Sequence, residues 1–137
     1  MNQKLLVILG SARHDSDTKT YANFVFENVD HNIVTLLDYS ISPFNYSANY
    51  PSDDDFYKLV EKILDYRTIV FATPVYWYSM SGLMKNLFDR FTDIVTVKKE
   101  TGKKLNGKSM FLIAIGTEKK LPTGFDIPFK LTPDTWV

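Results

Sequence analysis

Lys4-Leu5-Leu6-Val7-Ile8-Leu9-Gly10 is the stretch that decides the fold. It is short, nearly all apolar, and gives way to Gly10 and Ser11. A half-exposed strand would alternate polar with apolar. A continuous apolar run of this length reads instead as a strand buried on both faces, which marks a parallel sheet. Comparable runs recur at residues 32–39 (NIVTLLDY), 67–77 (RTIVFATPVYW) and 109–116 (SMFLIAIG).

Helical spacing fills the gaps between them. Residues 18–29 place Tyr21, Phe24, Val25 and Val29 on one helix face. Phe56, Leu59, Val60, Ile63 and Leu64 form a clean core-facing stripe. It is preceded by Asp53, Asp54 and Asp55, whose charge suits the positive end of a helix. Residues 82–95 turn Leu83, Met84, Leu87, Phe88, Phe91 and Ile94 inward or partly so. Residues 41–52 carry Pro43, Asn45, Ser47, Asn49 and Pro51 and read as a loop. Residues 98–108 read as a polar, basic, exposed connection, and residues 117–137 show no convincing period. The order β-α-β-α-β-α-β implies an α/β fold, a doubly wound parallel sheet with helices on both faces. Ligands of such sheets sit beyond the carboxyl ends of the strands. One domain spans residues 1–137.

Composition narrows the function. Lys plus Arg equals Asp plus Glu, 16 of each, so the formal charge is zero. That balance gives no support for nucleic-acid binding, nor for a carrier docking through a strongly acidic surface. With no cysteine, thiolate iron–sulfur ligation and a Cys nucleophile are excluded. No apolar run reaches membrane-spanning length, and the first apolar stretch lacks signal-peptide layout. A soluble, cytoplasmic protein is expected.

Two loops carry the chemistry. Residues 10–18 (GSARHDSDT) join the first strand to the first helix, where free N–H groups and the helix dipole favour an anion. Ser11, Ser16 and Thr18 can donate hydroxyl hydrogens, and Arg13 a charge-assisted bond. The competing reading has Ser16, Asp17 or Thr18 simply capping the helix. Neither a Walker pattern nor Gly-x-Gly-x-x-Gly is present, so a monophosphate fits better than a nucleoside triphosphate or a pyrophosphate. Residues 73–82 (TPVYWYSMSG) follow the third strand. Tyr76, Trp77 and Tyr78 cannot all be buried from one strand end, so some face an opening and offer a surface to a planar ligand. Pro74 stiffens the turn, and Ser79 or Ser81 caps the next helix. An aromatic interface patch is the alternative.

The segments LLVILGSARHDSDT and FATPVYWYSMSGLMKNLFDRF resemble the NADPH-dependent FMN reductase family, a branch of the flavodoxin-like superfamily, over nearly the whole chain. The resemblance implies that Ser11, Arg13, Ser16, Asp17 and Thr18 hold the FMN phosphate. Pro74, Val75, Tyr76, Trp77, Tyr78 and Ser79 would line the ring and ribityl chain, with Gly116 and Thr117 on the ring's other side. It implies NAD(P)H as hydride donor, a small acceptor such as a quinone, azo compound or free flavin, and a homodimer or homotetramer. Lys85, Asn86, Asp89 and Arg90 match the family pattern too, as helix-packing and subunit-contact residues. No catalytic side chain is named, because the cofactor carries the hydride step. Family members continue past residues 128–132 with a helix and a fifth strand. The expectation here is a sheet lacking both, as a shortened variant or from a truncated reading frame. A flavodoxin-type electron carrier and an inactive flavin-binding scaffold are the alternatives.

Other polar groups carry less. His14 and His31 read as surface residues, and Lys98, Lys99, Lys103 and Lys104 as a solvated loop rather than a site for the NADPH 2′-phosphate. No metal is expected.

Overall fold

The computed structural model describes residues 2–136. The strands β1 (Asn2–Leu9), β2 (His31–Thr35), β3 (Tyr66–Tyr76) and β5 (Ser109–Ile115) form a parallel sheet in the order β2-β1-β3-β5. A two-residue strand, β4 (Ser79–Met80), folds back antiparallel on the end of β3. The helices are α1 (Asp17–Val25), α2 (Phe56–Leu64), α3 (Gly82–Thr96), α4 (Lys99–Lys103) and α5 (Ile127–Leu131). This is the flavodoxin-like architecture, and no strand pairs with the outer edge of β5 among the described residues.

Successive strand residues point to opposite faces, and the two faces differ sharply. Leu6, Ile8, Ile69 and Phe71 look toward α2, α3 and α5, into a large core with Phe56, Leu59, Leu87, Phe91 and Phe129. The stripes expected on α2 and α3 are buried there. Leu5, Val7, Leu9, Val70 and Ala72 look the other way, onto a smaller cluster with Ala22 of α1 and the half-buried Phe26.

Two expectations fail. The α1 stripe of Tyr21, Phe24 and Val25 is exposed, Phe24 to 66%. The row that faces the sheet is Thr18, Ala22 and Phe26, small at its centre and packed on Val and Ala side chains. The residues following β5, which show no period in sequence, nevertheless fold back onto the core. Phe125, Phe129 and Trp136 are buried, with Phe129 6.0 Å from Phe71 and Trp136 5.5 Å from Phe91, ring to ring. Residues 98–108 also hold the short α4, and Lys98 lies 4.1 Å above the Tyr57 ring.

The matched residues of α3 act within the chain. Arg90, fully buried, reaches back to the loop before α2, donating to both Asp54 carboxylate oxygens at 2.7 and 2.9 Å and to the Ser42 carbonyl at 2.9 Å. It also bonds Asp93 at 2.9 Å and lies 3.5 Å from the Tyr50 ring. Asn86 donates to the Ile41 carbonyl at 2.6 Å. Asn86 and Arg90 therefore act as clips for residues 41–55, while Lys85 and Asp89 pair on the surface. Burial disfavours charge on Asp54, but the bonds from Arg90 and from the Ser42 and Phe56 N–H groups outweigh it and hold its pKa below the ordinary value. Asp54 is thus chiefly the Arg90 partner, where helix-start electrostatics were expected to explain it. Among the described residues no helix is long and apolar enough to cross a membrane.

Candidate functional site: one rim of the sheet

Parallel strands bring their carboxyl ends to one rim, so the loops after β1, β3 and β5 are neighbours there. Close contacts bind them together. The Gly10 N–H donates to the Ala72 carbonyl at 2.8 Å. A Cβ on Gly10 would stand 2.9 Å from Ser81 Oγ and 3.0 Å from the Met84 methyl, so only glycine lets the first loop pass the start of α3. A Cβ on Gly116 would stand 3.2 Å from Val75 Cγ2.

In the first loop, Ser16 is the N-cap of α1, its Oγ accepting from the Lys19 N–H at 3.2 Å. The capping reading thus holds for Ser16, although its hydroxyl hydrogen remains available to donate. Ser11 Oγ accepts from the Arg13 N–H at 3.4 Å. The N–H groups of Asp17 and Thr18 have no partner among the described residues, which is the usual state of a helix start. Ser11, Ser16 and Thr18 are buried, while Asp17 and Arg13 are exposed. His14 is exposed and pairs with Asp38 at 2.9 Å, tying the loop to the end of β2. His31 bonds the Val29 carbonyl at 2.7 Å and Asn23 at 3.2 Å, at the opposite end of the sheet.

The third loop differs from the expected turn. Pro74 stays within β3, opposite Ile115, and the strand continues to Tyr76. Tyr76 pairs with Ser79, leaving Trp77 and Tyr78 as the central residues of a two-residue hairpin. Both have positive φ, 49° and 67°. Such hairpins favour Asn-Gly, and a bulky aromatic there costs about 1–3 kcal/mol. The strained pair is 92% and 74% exposed. Of the two serines, Ser81 caps α3, accepting from the Met84 N–H at 3.2 Å. Thr73, which the motif reading passed over, is fully buried and accepts from the Ser81 N–H at 3.0 Å, fixing where the hairpin rejoins the helix.

Between this hairpin and the β5 loop lies a cavity of about 500 Å³, within the usual range for small-molecule sites. It gathers Val75, Trp77, Tyr78, Gly116 and Thr117 from the expected set. Pro74, Tyr76 and Ser79 flank it without lining it, and the first loop lies at the neighbouring strand end. Its wall also holds Tyr21, Lys119 and Lys120, which pattern reading missed. Tyr21 had been given to a helix face with no role in a site, and the lysines lie in a stretch without period. Lys98, Lys99, Lys103 and Lys104 precede β5, and none of them lines this cavity.

The comparisons agree with the fold. YwqN of Bacillus subtilis, an inferred NAD(P)H-dependent FMN-containing oxidoreductase, is 28% identical over 120 residues, covering 82% of this chain and 66% of that protein. The chain thus spans just under two thirds of that relative's length. The solved Trp repressor binding protein of Bacillus subtilis superposes with a TM-score of 0.71 at 25% identity, covering 95% of this chain and 80% of that one. An NADPH-quinone reductase from P. pentosaceus shares the fold, with a TM-score of 0.68 at 16% identity over 98% of this chain and 79% of its own. The model of the NADPH-dependent FMN reductase family matches residues 3–121, and with most of its length inside that match the chain belongs to this family.

Proposed function

We propose that the chain binds FMN on this rim and works as an NAD(P)H-dependent oxidoreductase, passing electrons to a small acceptor such as a quinone, azo compound or free flavin. One observation carries the reading: an aromatic-walled cavity of about 500 Å³ and an uncommitted helix N-terminus share one rim, joined at Gly10. An anionic tail and a flat head on one molecule fit that pair of features. Bound there, FMN supplies the redox chemistry, taking hydride from reduced nicotinamide and releasing electrons to an acceptor.

The chain's own residues then bind, orient and admit. The Asp17 and Thr18 N–H groups and the Arg13 guanidinium hold the phosphate, with hydroxyl hydrogens from Ser11, Ser16 and Thr18. Trp77 and Tyr78 flank the ring on one side, Gly116 and Thr117 on the other, while Pro74, Val75, Tyr76 and Ser79 set the position of the hairpin. Lys119 and Lys120 outnumber Glu118 on the cavity wall, and that net positive balance favours added negative charge inside it.

A flavin titration followed by absorbance and by tryptophan fluorescence tests the reading, together with bleaching of the bound flavin by NADPH without oxygen. Arg13→Ala should weaken FMN binding by about one to two decades while leaving the fold intact. Unchanged affinity removes Arg13 from the site. Trp77→Ala should lower FMN affinity more than affinity for a ring-free phosphate, and equal losses contradict the ring assignment. An electron carrier would consume NAD(P)H negligibly without a separate reductase.

A further inference from the structure

At the ends of β1 and β2 the rim holds a second cavity, of about 400 Å³ and also within the range of small-molecule sites. Its floor is apolar, made by Leu9, Ile33 and Val34. Two helices each bring a lysine to its wall, Lys19 from the first turn of α1 and Lys58 from α2. Those helices cover opposite faces of the sheet, so the two charges approach the end of β2 from both sides. Lys58 lies 5.9 Å above the Tyr39 ring, and neither ammonium pairs with a carboxylate among the described residues. The one carboxylate of the wall, Asp38, is engaged by His14 at 2.9 Å. Thr35 Oγ1 accepts from the Leu37 N–H and keeps its own hydrogen to donate. The first loop and the start of α1 stand between the two cavities, with His14 and Lys19 lining this one and Tyr21 the aromatic one.

We propose that this second cavity seats the adenosine 2′-phosphate end of NADPH. The site rests on the oxidoreductase reading for the other half of the donor, whose nicotinamide must lie on the flavin ring between the hairpin and the β5 loop. The adenosine half then needs a seat elsewhere on the rim. The seam of β1 and β2 lies two strand spacings from that of β3 and β5, about 10 Å. Two riboses and a pyrophosphate separate the bases of the donor, and they bridge that gap. A third hollow, walled by Lys99 and Lys103, is too remote, since Ile94 and Val95 place it about 18 Å along α3 from Gly82. In the second cavity the 2′-phosphate lies between Lys19 and Lys58, two point charges on flexible stems, and the adenine lies on the apolar floor beside Tyr39. NADH carries a hydroxyl in place of that phosphate, so the two lysines set which donor is preferred.

Adenosine 2′,5′-bisphosphate, which has the 2′-phosphate but no nicotinamide, isolates this half of the donor. In calorimetric titration of the chain it should bind roughly tenfold or more tightly than 5′-AMP. Lys19→Ala and Lys58→Ala should each raise its dissociation constant about tenfold, and the KM for NADPH with it, while moving the KM for NADH little. Lys99→Ala, in the remote hollow, should change none of these. Equal affinity for the two adenosine phosphates overturns the proposal. So does a Lys19→Ala, Lys58→Ala double variant that keeps wild-type affinity for the bisphosphate. A chain that takes up FMN and turns over NADH and NADPH alike overturns it too, with the oxidoreductase reading left standing. A chain that binds no flavin yet holds the bisphosphate through both lysines sinks that reading and upholds this site.

Discussion

The two faces of the sheet are built on opposite plans. Toward α2, α3 and α5, the side chains of β1 and β3 meet a continuous aromatic core running from Phe56 through Phe71, Phe88 and Phe91 to Phe129 and Trp136. Toward α1 they meet Ala22, and the rings of that helix point to solvent. Buried apolar area stabilises in proportion to its extent, so the first face holds the fold. The second face borders the proposed site, with Tyr21 on the cavity wall and Phe111 exposed on β5. Stability and surface chemistry are thus divided between two sides of one sheet.

Breaking the thick face should have the largest effect. Arg90→Ala leaves Asp54 and Asp93 buried without their counter-charge and should lower stability by about 3–5 kcal/mol in urea unfolding. The same clip has a pH signature. Asp54 titrates below its ordinary 3.8, so its contribution is complete above that value and drains away as pH falls further. Wild-type stability should therefore fall more steeply in acid than that of Asp54→Asn.

A paired substitution sharpens the contrast directly. Phe71→Ala should cost about 3–5 kcal/mol, whereas Phe24→Ser on α1 should stay within about 0.5 kcal/mol for the isolated chain. Equal losses would mean that α1 is held by far more than its inner row. At the seam between loops, Gly10→Ala should cost about 1–3 kcal/mol, because the added methyl displaces Ser81 from the α3 cap. The smallest effect has the opposite sign. Replacing Trp77-Tyr78 by Asn-Gly relieves two positive-φ aromatics and should stabilise the free chain by about 1 kcal/mol, while weakening flavin binding. A hairpin that becomes less stable on this exchange would show that the aromatics support the fold.

Much of the architecture was legible because it is local. Each parallel strand announced itself by an apolar run, though the two-residue β4 did not, and the stripes of α2 and α3 stood at the periods that packing requires. The loop assignments needed only strand order, since parallel strands deliver their carboxyl ends to one rim whatever the side chains do. The candidate site was half legible for the same reason. Motifs reached Val75, Trp77, Tyr78, Gly116 and Thr117, but not Tyr21, Lys119 or Lys120, which join the cavity only when α1 and the β5 loop come together.

The sequence by itself determined how many parallel strands there are, in which order they alternate with helices, and which loops carry hydroxyl, guanidinium and aromatic groups. Burial on both faces is found for β1 and β3 and not for β2 or β5. Only the tertiary structure decided which apolar row of α1 turns inward, because Thr18-Ala22-Phe26 and Tyr21-Phe24-Val25 share one period and differ in what faces them. It also decided that Arg90 clasps Asp54, 36 residues away, and that Trp77 and Tyr78 adopt left-handed backbone. Neither follows from local preference, since the first is a contact across the chain and the second runs against the steric bias of both residues.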